Sequence, residues 1–358
     1  MNAKGKVLHV CNLDKFIPPF IDFVEENFDD FATRHVFFIS GNTKKNPYRA
    51  RANIVQAQRG KKAQLLHLAK LATAIQKADK IILHGLFNHY VVRLLFLMPW
   101  VLKKCYWVIW GGDLYVYQLG NRNSKRWKLN EFFRRPVIKN MGNIVSGNIG
   151  DISNAVKWYN FKGGVIKSIL YTSNIFRDDL LSACFAERKE EVKVLLGNSA
   201  TESNRHLEAL ERIHLETKKV SKKVKLILPL SYGDYLYRDK ICDYGKNFFG
   251  SSFHPILHFM NYEAYLSVLL DIDIVVFNHN RQQGFGNLIQ LIGFGKKVYI
   301  SRESSLWEYF KSIGIIVYDF KKFNFEAIEE SIALNNRRII IENFSLQRIV
   351  SDTEKIFN

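Results

Sequence analysis

Residues 274–301 constrain the fold of this chain more than any other stretch. They open on a short apolar run, Ile-Val-Val-Phe over 274–277, of the kind buried on both faces of a parallel sheet. A polar loop over 278–283 follows, then Gly284 and Gly286, then a segment whose Leu288, Ile289, Leu291 and Ile292 predict a helix. Gly293 and Gly295 end it, and residues 297–301 read as the next strand. Strand, glycine turn and helix N-terminus make an anion site, because unpaired backbone N–H groups and the helix dipole point the same way. Arg281 adds a guanidinium able to fork onto phosphate oxygens. A diphosphate suits such a place. A Gly-x-Gly after a strand is also simply a tight turn needing positive φ, so the rest of the chain has to decide.

The rest of the chain repeats the pattern. Strands are expected at 6–13, 35–40, 80–84 and 105–110, with helices at 17–28, 63–78 and 91–102 between them. A second series begins with a strand at 192–196, after a charged, linker-like 186–192. A helix at 205–215, a strand at 224–228, a helix at 262–270 and a strand at 272–277 follow. Such alternation implies largely parallel sheets with helices on both faces, whose ligands bind beyond the carboxyl ends of the strands. A chain of 358 residues suits two domains better than one core. The division expected is an N-terminal Rossmann-like domain over 1–175, a C-terminal one over 190–340, and a helical tail over 341–358. The loop 197–204, Gly-Asn-Ser-Ala-Thr-Glu-Ser-Asn, is a second phosphate-competent turn between a strand and a helix.

The formal net charge is +18, which asks for an anionic partner: nucleic acid, an acidic membrane surface or phosphorylated substrates. Between Gly41 and Lys70 there are eight Lys and Arg residues and no acid. A second cluster runs from Arg122 to Lys139, relieved only by Glu131. Residues 91–102 are apolar but too short to span a bilayer, and no secretory signal precedes the first strand. They are expected as a core helix, with an interfacial contact as the alternative. Cys11, Cys105, Cys184 and Cys242 are scattered without metal or redox spacing and are expected as buried thiols. Asp271 and Asp273 begin a buried strand, so no metal motif is placed to chelate a diphosphate, and no metal or other cofactor is expected.

Five pieces stand in one order: His84-Gly-Leu-Phe-Asn88; Trp107-Val-Ile-Trp-Gly-Gly-Asp-Leu-Tyr115; Leu196-Gly-Asn-Ser with Ser203-Asn-Arg-His206; Asn280-Arg-Gln-Gln-Gly-Phe-Gly286; and Ser301-Arg-Glu with Trp307. In that order they resemble family 56 of the glycosyltransferases, the 4-acetamido-4,6-dideoxygalactose (N-acetylfucosamine) transferases of enterobacterial common antigen synthesis. The match runs to about Asp319; the basic stretch after Gly41 and the tail after Lys321 depart from it. The resemblance implies a glycosyltransferase-B fold, two Rossmann-like domains facing a cleft. It implies a dTDP-sugar donor, or a UDP-sugar, and an undecaprenyl-diphosphate-linked saccharide acceptor. The enzyme would sit peripherally on the cytoplasmic face of the inner membrane, its basic half against an anionic leaflet. An enzyme of the same fold with a soluble acceptor, a sugar-nucleotide epimerase and a non-catalytic nucleic-acid-binding protein are the alternatives. The last is disfavoured, since no nucleic-acid motif is visible and the basic clusters lie apart from the Gly-x-Gly loop.

Asp113, behind two glycines at a strand end, is the expected base for an acceptor hydroxyl, with a cap or turn aspartate as the bland alternative. His84 and His9 are its rivals. Donor binding is expected from Gly197, Asn198, Ser199, Asn204, Asn280, Arg281, Gln283, Gly284, Phe285, Gly286, Asn287 and Glu303. Gln283 and Gln290 stand near the two places where retaining enzymes of this architecture carry glutamates, which leaves the stereochemical outcome open.

Overall fold

Short apolar runs bounded by polar turns become strands here, and the amphipathic runs between them become helices that cover both sheet faces. The computed structural model describes residues 5–184, 191–280 and 283–358, the side chains of 183 and 184 excepted. The chain divides into two compact units. One holds the residues up to Ser173 together with Ile349–Asn358, and the other is Asn174–Arg348.

The first unit runs β1 (Val7–Asn12), α1 (Ile17–Asn27), a single turn α2 (Phe31–Arg34), β2 (His35–Ser40), β3 (Ile54–Gln56), α3 (Lys61–Lys77), β4 (Lys80–His84), α4 (His89–Leu97), β5 (Cys105–Val108), α5 (Gly112–Leu119), α6 (Lys125–Asn140), β6 (Asn143–Val145), α7 (Ile149–Tyr159) and β7 (Gly164–Ile166). Its seven strands lie in the order β3-β2-β1-β4-β5-β6-β7, all parallel. The order turns back between β1 and β4, which makes their carboxyl ends the switch point where such sheets bind ligands. The register sets Cys11 of β1 beside Ile39 of β2 and His84 of β4.

The helix expected over 91–102 is two elements. α4 stops at Leu97, and a 3-10 turn, Pro99–Lys104, follows. Pro99 has no N–H to continue the ladder and drives Met98 out of helical geometry, to φ −123°. Val91, Val92, Leu95, Val101 and Leu102 are buried, as a core helix requires, whereas Leu97 and Trp100 are exposed.

The second unit runs β8 (Glu191–Leu196), α8 (His206–Thr217), β9 (Lys223–Pro229), α9 (Tyr235–Phe249), β10 (Phe253–Ile256), α10 (Tyr262–Leu270), β11 (Ile274–Phe277), α11 (Phe285–Gly293), β12 (Lys297–Ile300), α12 (Ser305–Ser312), β13 (Tyr318–Asp319) and α13 (Glu330–Phe344). Its strands order as β10-β9-β8-β11-β12-β13, again all parallel, with the switch between β8 and β11. All four residues of β11 are buried, as its apolar run demands. The stretch expected as a separate tail belongs to both units: α13 packs in the second, and most of α14 (Leu346–Phe357) in the first.

Cys11, Cys105 and Cys242 are buried free thiols, while the side chain of Cys184 and most of the expected linker lie outside the described residues. Asp271 and Asp273 are occupied at the start of the sheet. Asp271 pairs with the Lys193 ammonium, and Asp273 accepts the Lys193 backbone N–H at 2.8 Å.

Candidate functional site

In the second unit, three loops leave the carboxyl ends of the adjacent strands β8, β11 and β12, and they are sewn to one another. Gly197 turns the chain at φ +68°, and a Cβ there would lie 2.6 Å from Nε2 of His206. Gly284 turns it at φ +64°, where a Cβ would meet the Phe277 ring at 2.8 Å. Both positions therefore need glycine on conformation and on space. Asn204, fully buried, accepts the Asn198 N–H at 3.2 Å. Its own amide donates to Ser199 O and to Thr201 Oγ1, both at 2.9 Å. Ser203 donates to Gln283 Oε1 at 2.8 Å, Gln283 Nε2 donates to Asn198 Oδ1 at 3.2 Å, and Asn280 N–H donates to Ser203 O at 3.2 Å.

So the expected donor residues Gly197, Asn198, Ser199, Asn204, Asn280, Gln283, Gly284 and Glu303 are brought to one sheet edge. Several of them hold the loops rather than face outward. Asn204 and Gln283 spend their amides on the fold, Asn287 donates to the Tyr265 hydroxyl at 2.9 Å, and Phe285 packs on Tyr309, Phe310 and Phe344. Gly286 lies in the first turn of α11, whose N-cap, Gly284, offers no side-chain acceptor. Arg281 lies outside the described residues. Gln290 is buried and bonds Ile175 O at 2.6 Å and Arg177 N–H at 3.1 Å, which makes it a strut.

Sequence reasoning missed Arg205. It takes a left-handed conformation, φ +50°, as the N-cap of α8. From there it reaches across the sheet edge to Asn278 O at 3.0 Å, Ser301 Oγ at 2.8 Å and Glu303 Oε2 at 2.9 Å. The signal was its place in the quoted Ser203–His206 piece. Its left-handed turn has no sequence signature, because a non-glycine residue with positive φ is held by tertiary contacts. Beside it, Nε2 of His206 and Nδ2 of Asn278 are buried without hydrogen-bond partners among the described residues. Burial lowers the His206 imidazole to about 3, so it is neutral and able to bond a ligand atom. Uncapped helix N-termini, a guanidinium and two unsatisfied buried polar atoms suit an oxygen-rich anionic group.

In the first unit, the three expected bases turn out to be engaged. Asp113 is 2 % exposed. Its Oδ2 accepts the Leu86 N–H at 3.0 Å and Trp107 Nε1–H at 2.6 Å; its Oδ1 accepts the Trp110 N–H at 3.0 Å and the Leu114 N–H at 3.1 Å. A carboxylate has about four acceptor sites, and all are filled. The bland alternative fits: Asp113 anchors the loops after β4 and β5.

His84 and His9 belong to a chain of side chains running through the sheet. Trp110 Nε1–H donates to the Tyr171 hydroxyl at 2.6 Å. Tyr171 is then free to give its own proton to His84 Nδ1, 2.8 Å away. In that direction His84 is the Nε2–H tautomer, donating to His9 Nδ1 at 3.1 Å, and His9 in turn donates to His35 Nδ1 at 2.9 Å. His35 Nε2–H faces Asp30 Oδ1 at 3.6 Å. The donor-only indole at one end and the carboxylate at the other set one polarity for the whole chain. Burial lowers His84 to about 3 and His35 to about 4. Burial, and then the two neighbouring imidazoles, hold His9 well below its usual value. No imidazole in the chain has a lone pair to offer a reacting hydroxyl, so the base role expected of His84 and His9 does not fit this arrangement. Trp110, Tyr171, His35 and Asp30 were not singled out from sequence, since strands far apart in the chain bring them together.

The chain from residue 12 to residue 343 matches the model of a protein family described as "4-alpha-L-fucosyltransferase glycosyl transferase group 56". Among solved structures it is similar to a glycosyltransferase from Rickettsia africae, with a TM-score of 0.63 and 13% identity, covering 99% of this chain and 98% of that one. It is similar to Anabaena Alr3699/HepE, solved in complex with UDP and glucose, with a TM-score of 0.67 and 11% identity, covering 98% of each chain. Sucrose-phosphate synthase from Thermosynechococcus elongatus gives the same TM-score, 0.67, at 11% identity and 98% coverage of each. At these identities the likeness concerns the fold: two parallel-sheet α/β domains of the glycosyltransferase-B kind.

Proposed function

The chain belongs to glycosyl transferase group 56, a sugar-nucleotide-dependent glycosyltransferase of glycosyltransferase-B fold, and on that premise we propose the sugar and the acceptor. The donor is a dTDP-linked 4-acetamido-4,6-dideoxyhexose, bound at the carboxyl edge of β8, β11 and β12. The acceptor is a saccharide on undecaprenyl diphosphate at the cytoplasmic face of the inner membrane, where the enzyme sits peripherally.

The observation that carries the donor is the sewn edge itself, where helix N-termini, Arg205 and the unsatisfied His206 and Asn278 atoms gather around two obligatory glycines. A nucleotide's diphosphate is the oxygen-rich anion that uncapped helix N-termini hold. The two glutamines where carboxylates would be expected are spent on the fold, which suits a deoxy sugar with fewer hydroxyls to hold. The family description itself names a fucosyl, hence 6-deoxy, sugar. The lipid acceptor is supported by the basic first unit. Lys44, Lys45, Arg59, Lys61, Lys62 and Lys70 are exposed, and Leu65 and Leu66 stand exposed among them on α3. Not every basic residue is available: Arg49 and Arg51 pair with Glu25, and Arg134 is buried.

Transfer assays with dTDP- and UDP-linked 4-acetamido-4,6-dideoxygalactose, each offered a polyprenyl-diphosphate saccharide or its soluble glycan, test the proposal. Faster transfer from dTDP onto the lipid-linked acceptor is expected. Equal rates with both nucleotides would remove the dTDP assignment, and equal rates on both acceptors would remove the lipid.

A further inference from the structure

With Asp113, His84 and His9 engaged, the acceptor hydroxyl still needs a group to take its proton. Three aspartates follow strands at the carboxyl edge of the first sheet: Asp14 after β1, Asp113 after β5 and Asp151 after β6. Asp113 is saturated with four N–H donors. Asp151 is fully buried, and burial raises its carboxyl to about 7, so it has no path to a substrate. Asp14 differs from both. It is only half-buried, so the residue reaches the surface as Asp151 does not, and among the described residues its inward Oδ1 has no hydrogen-bond partner. A carboxylate oxygen left without donors keeps its lone pairs for an incoming proton, whereas a saturated one must first give up a bond.

Its place also fits. Asp14 sits in the loop between β1 and α1, at the switch point where the sheet order turns back. That loop is held at both ends. The Leu13 N–H donates to Ser40 O at 2.7 Å, the Ile17 N–H donates to Asp14 O at 3.1 Å, and Pro18 and Pro19 stiffen the first turn of α1. Phe16 packs against Trp110 and Tyr171, so the head of the histidine chain supports the loop from below. An aspartate just before a helix is ordinarily spent as its cap, but here Phe16 is the N-cap of α1 and no side chain caps it. Beside the loop, Asn12, Ser40, Asn88, Leu83 and Leu86 line a shallow, solvent-open groove. Its floor is apolar and its rim carries amide and hydroxyl groups.

We propose that Asp14 is the catalytic base, an inference that rests on the glycosyl-transfer reading above. The acceptor oxygen forms its bond to the anomeric carbon as the bond from that carbon to the β-phosphate oxygen breaks. The hydroxyl proton passes to the Asp14 carboxylate, and the nucleoside diphosphate leaves with the electron pair. A base on the acceptor's side implies inversion at the anomeric centre.

The test compares Asp14→Asn, Asp14→Glu and Asp113→Asn with the wild type. The readouts are turnover on the lipid-linked acceptor, dTDP affinity by calorimetry, melting temperature and the anomeric configuration of the product. Asp14→Asn is expected to melt and bind dTDP as the wild type does while turnover falls about 10²–10⁴-fold, the scale of general base catalysis. Asp14→Glu should recover part of the rate, Asp113→Asn should lower the melting temperature, and the product should be inverted. A folded Asp14→Asn enzyme with near wild-type turnover, or a retained configuration, overturns the base role and leaves the transfer reading standing. A wild type that binds no nucleoside diphosphate and transfers from none of the donors overturns both.

Discussion

Four of the buried histidines, His9, His35, His84 and His206, give the fold a pH dependence whose sign can be worked out residue by residue. Each is held below the ordinary 6.5, chiefly by burial. Between that value and about 3 to 4 the unfolded chain binds protons that the folded one refuses, so their contribution is complete above 6.5 and is lost as pH falls. Asp151 acts the other way: with its folded carboxyl near 7, its contribution is present below the unfolded value of about 3.8 and fades as pH rises through 7. Near pH 5 the histidines win. The four histidines outweigh the single Asp151 there, so stability falls as pH falls. The urea midpoint should therefore fall clearly between pH 7.5 and 5.5, the more so for the first unit, which holds three of the four histidines. A flat profile over that range would mean the histidines are not buried and neutral.

Among the elements, α14 is the one whose role its neighbours in sequence conceal. α13 before it packs in the second unit, yet Ile349, Ile356 and Phe357 are almost fully buried in the first. Phe357 meets the His35 ring at 4.5 Å; Arg34 bonds Phe357 O, and the Lys80 ammonium bonds Ile356 O at 3.0 Å. Three buried apolar side chains are worth roughly 1.5–3 kcal/mol each, so α14 supplies a large share of a typical domain stability. A chain ending at Arg348 should lose on the order of 5 kcal/mol from the first unit. Its early melting, with dTDP binding retained by the second unit, is the expected outcome in calorimetry. Unchanged melting would show the helix to be dispensable.

At the scale of the whole molecule, the charge is the feature that reaches furthest. The arginines of the acid-free run are partly consumed by ion pairs with Asp22 and Glu25, but its lysines are exposed. Each lysine near an anionic bilayer is worth about 1 kcal/mol, an attraction screened over about 8–10 Å at physiological salt. Changing Lys44, Lys45, Lys61 and Lys62 together to Glu should lower partitioning onto anionic vesicles at least about 100-fold at low salt. Activity on a lipid-linked acceptor should fall more than on a soluble one. Sedimentation with vesicles measures the first and paired assays the second; equal losses on both acceptors would remove the membrane from the account.

What the sequence determined by itself was the alternation. Apolar runs such as 35–40, 80–84 and 262–270 carry their own period and end on their own turn residues, so β2, β4 and α10 fall where expected. The same local logic finds Gly197 and Gly284, because a strand running into a helix needs a residue free to take positive φ. It divides the chain into two sheets, since each sheet is built from elements consecutive in sequence. It does not reveal which polar side chains are spent. Asp113 reads as a base until the Trp107 indole and three backbone N–H groups are seen on its carboxylate. The histidines read as rival bases until three strands align them into one directional chain. The parts played by Arg205, marked in the sequence only by its place in the Ser203–His206 piece, and by Asp14, not marked at all, stay hidden for the converse reason. One is defined by partners just after β11 and β12, the other by an oxygen that no described neighbour bonds, and only long-range packing decides either.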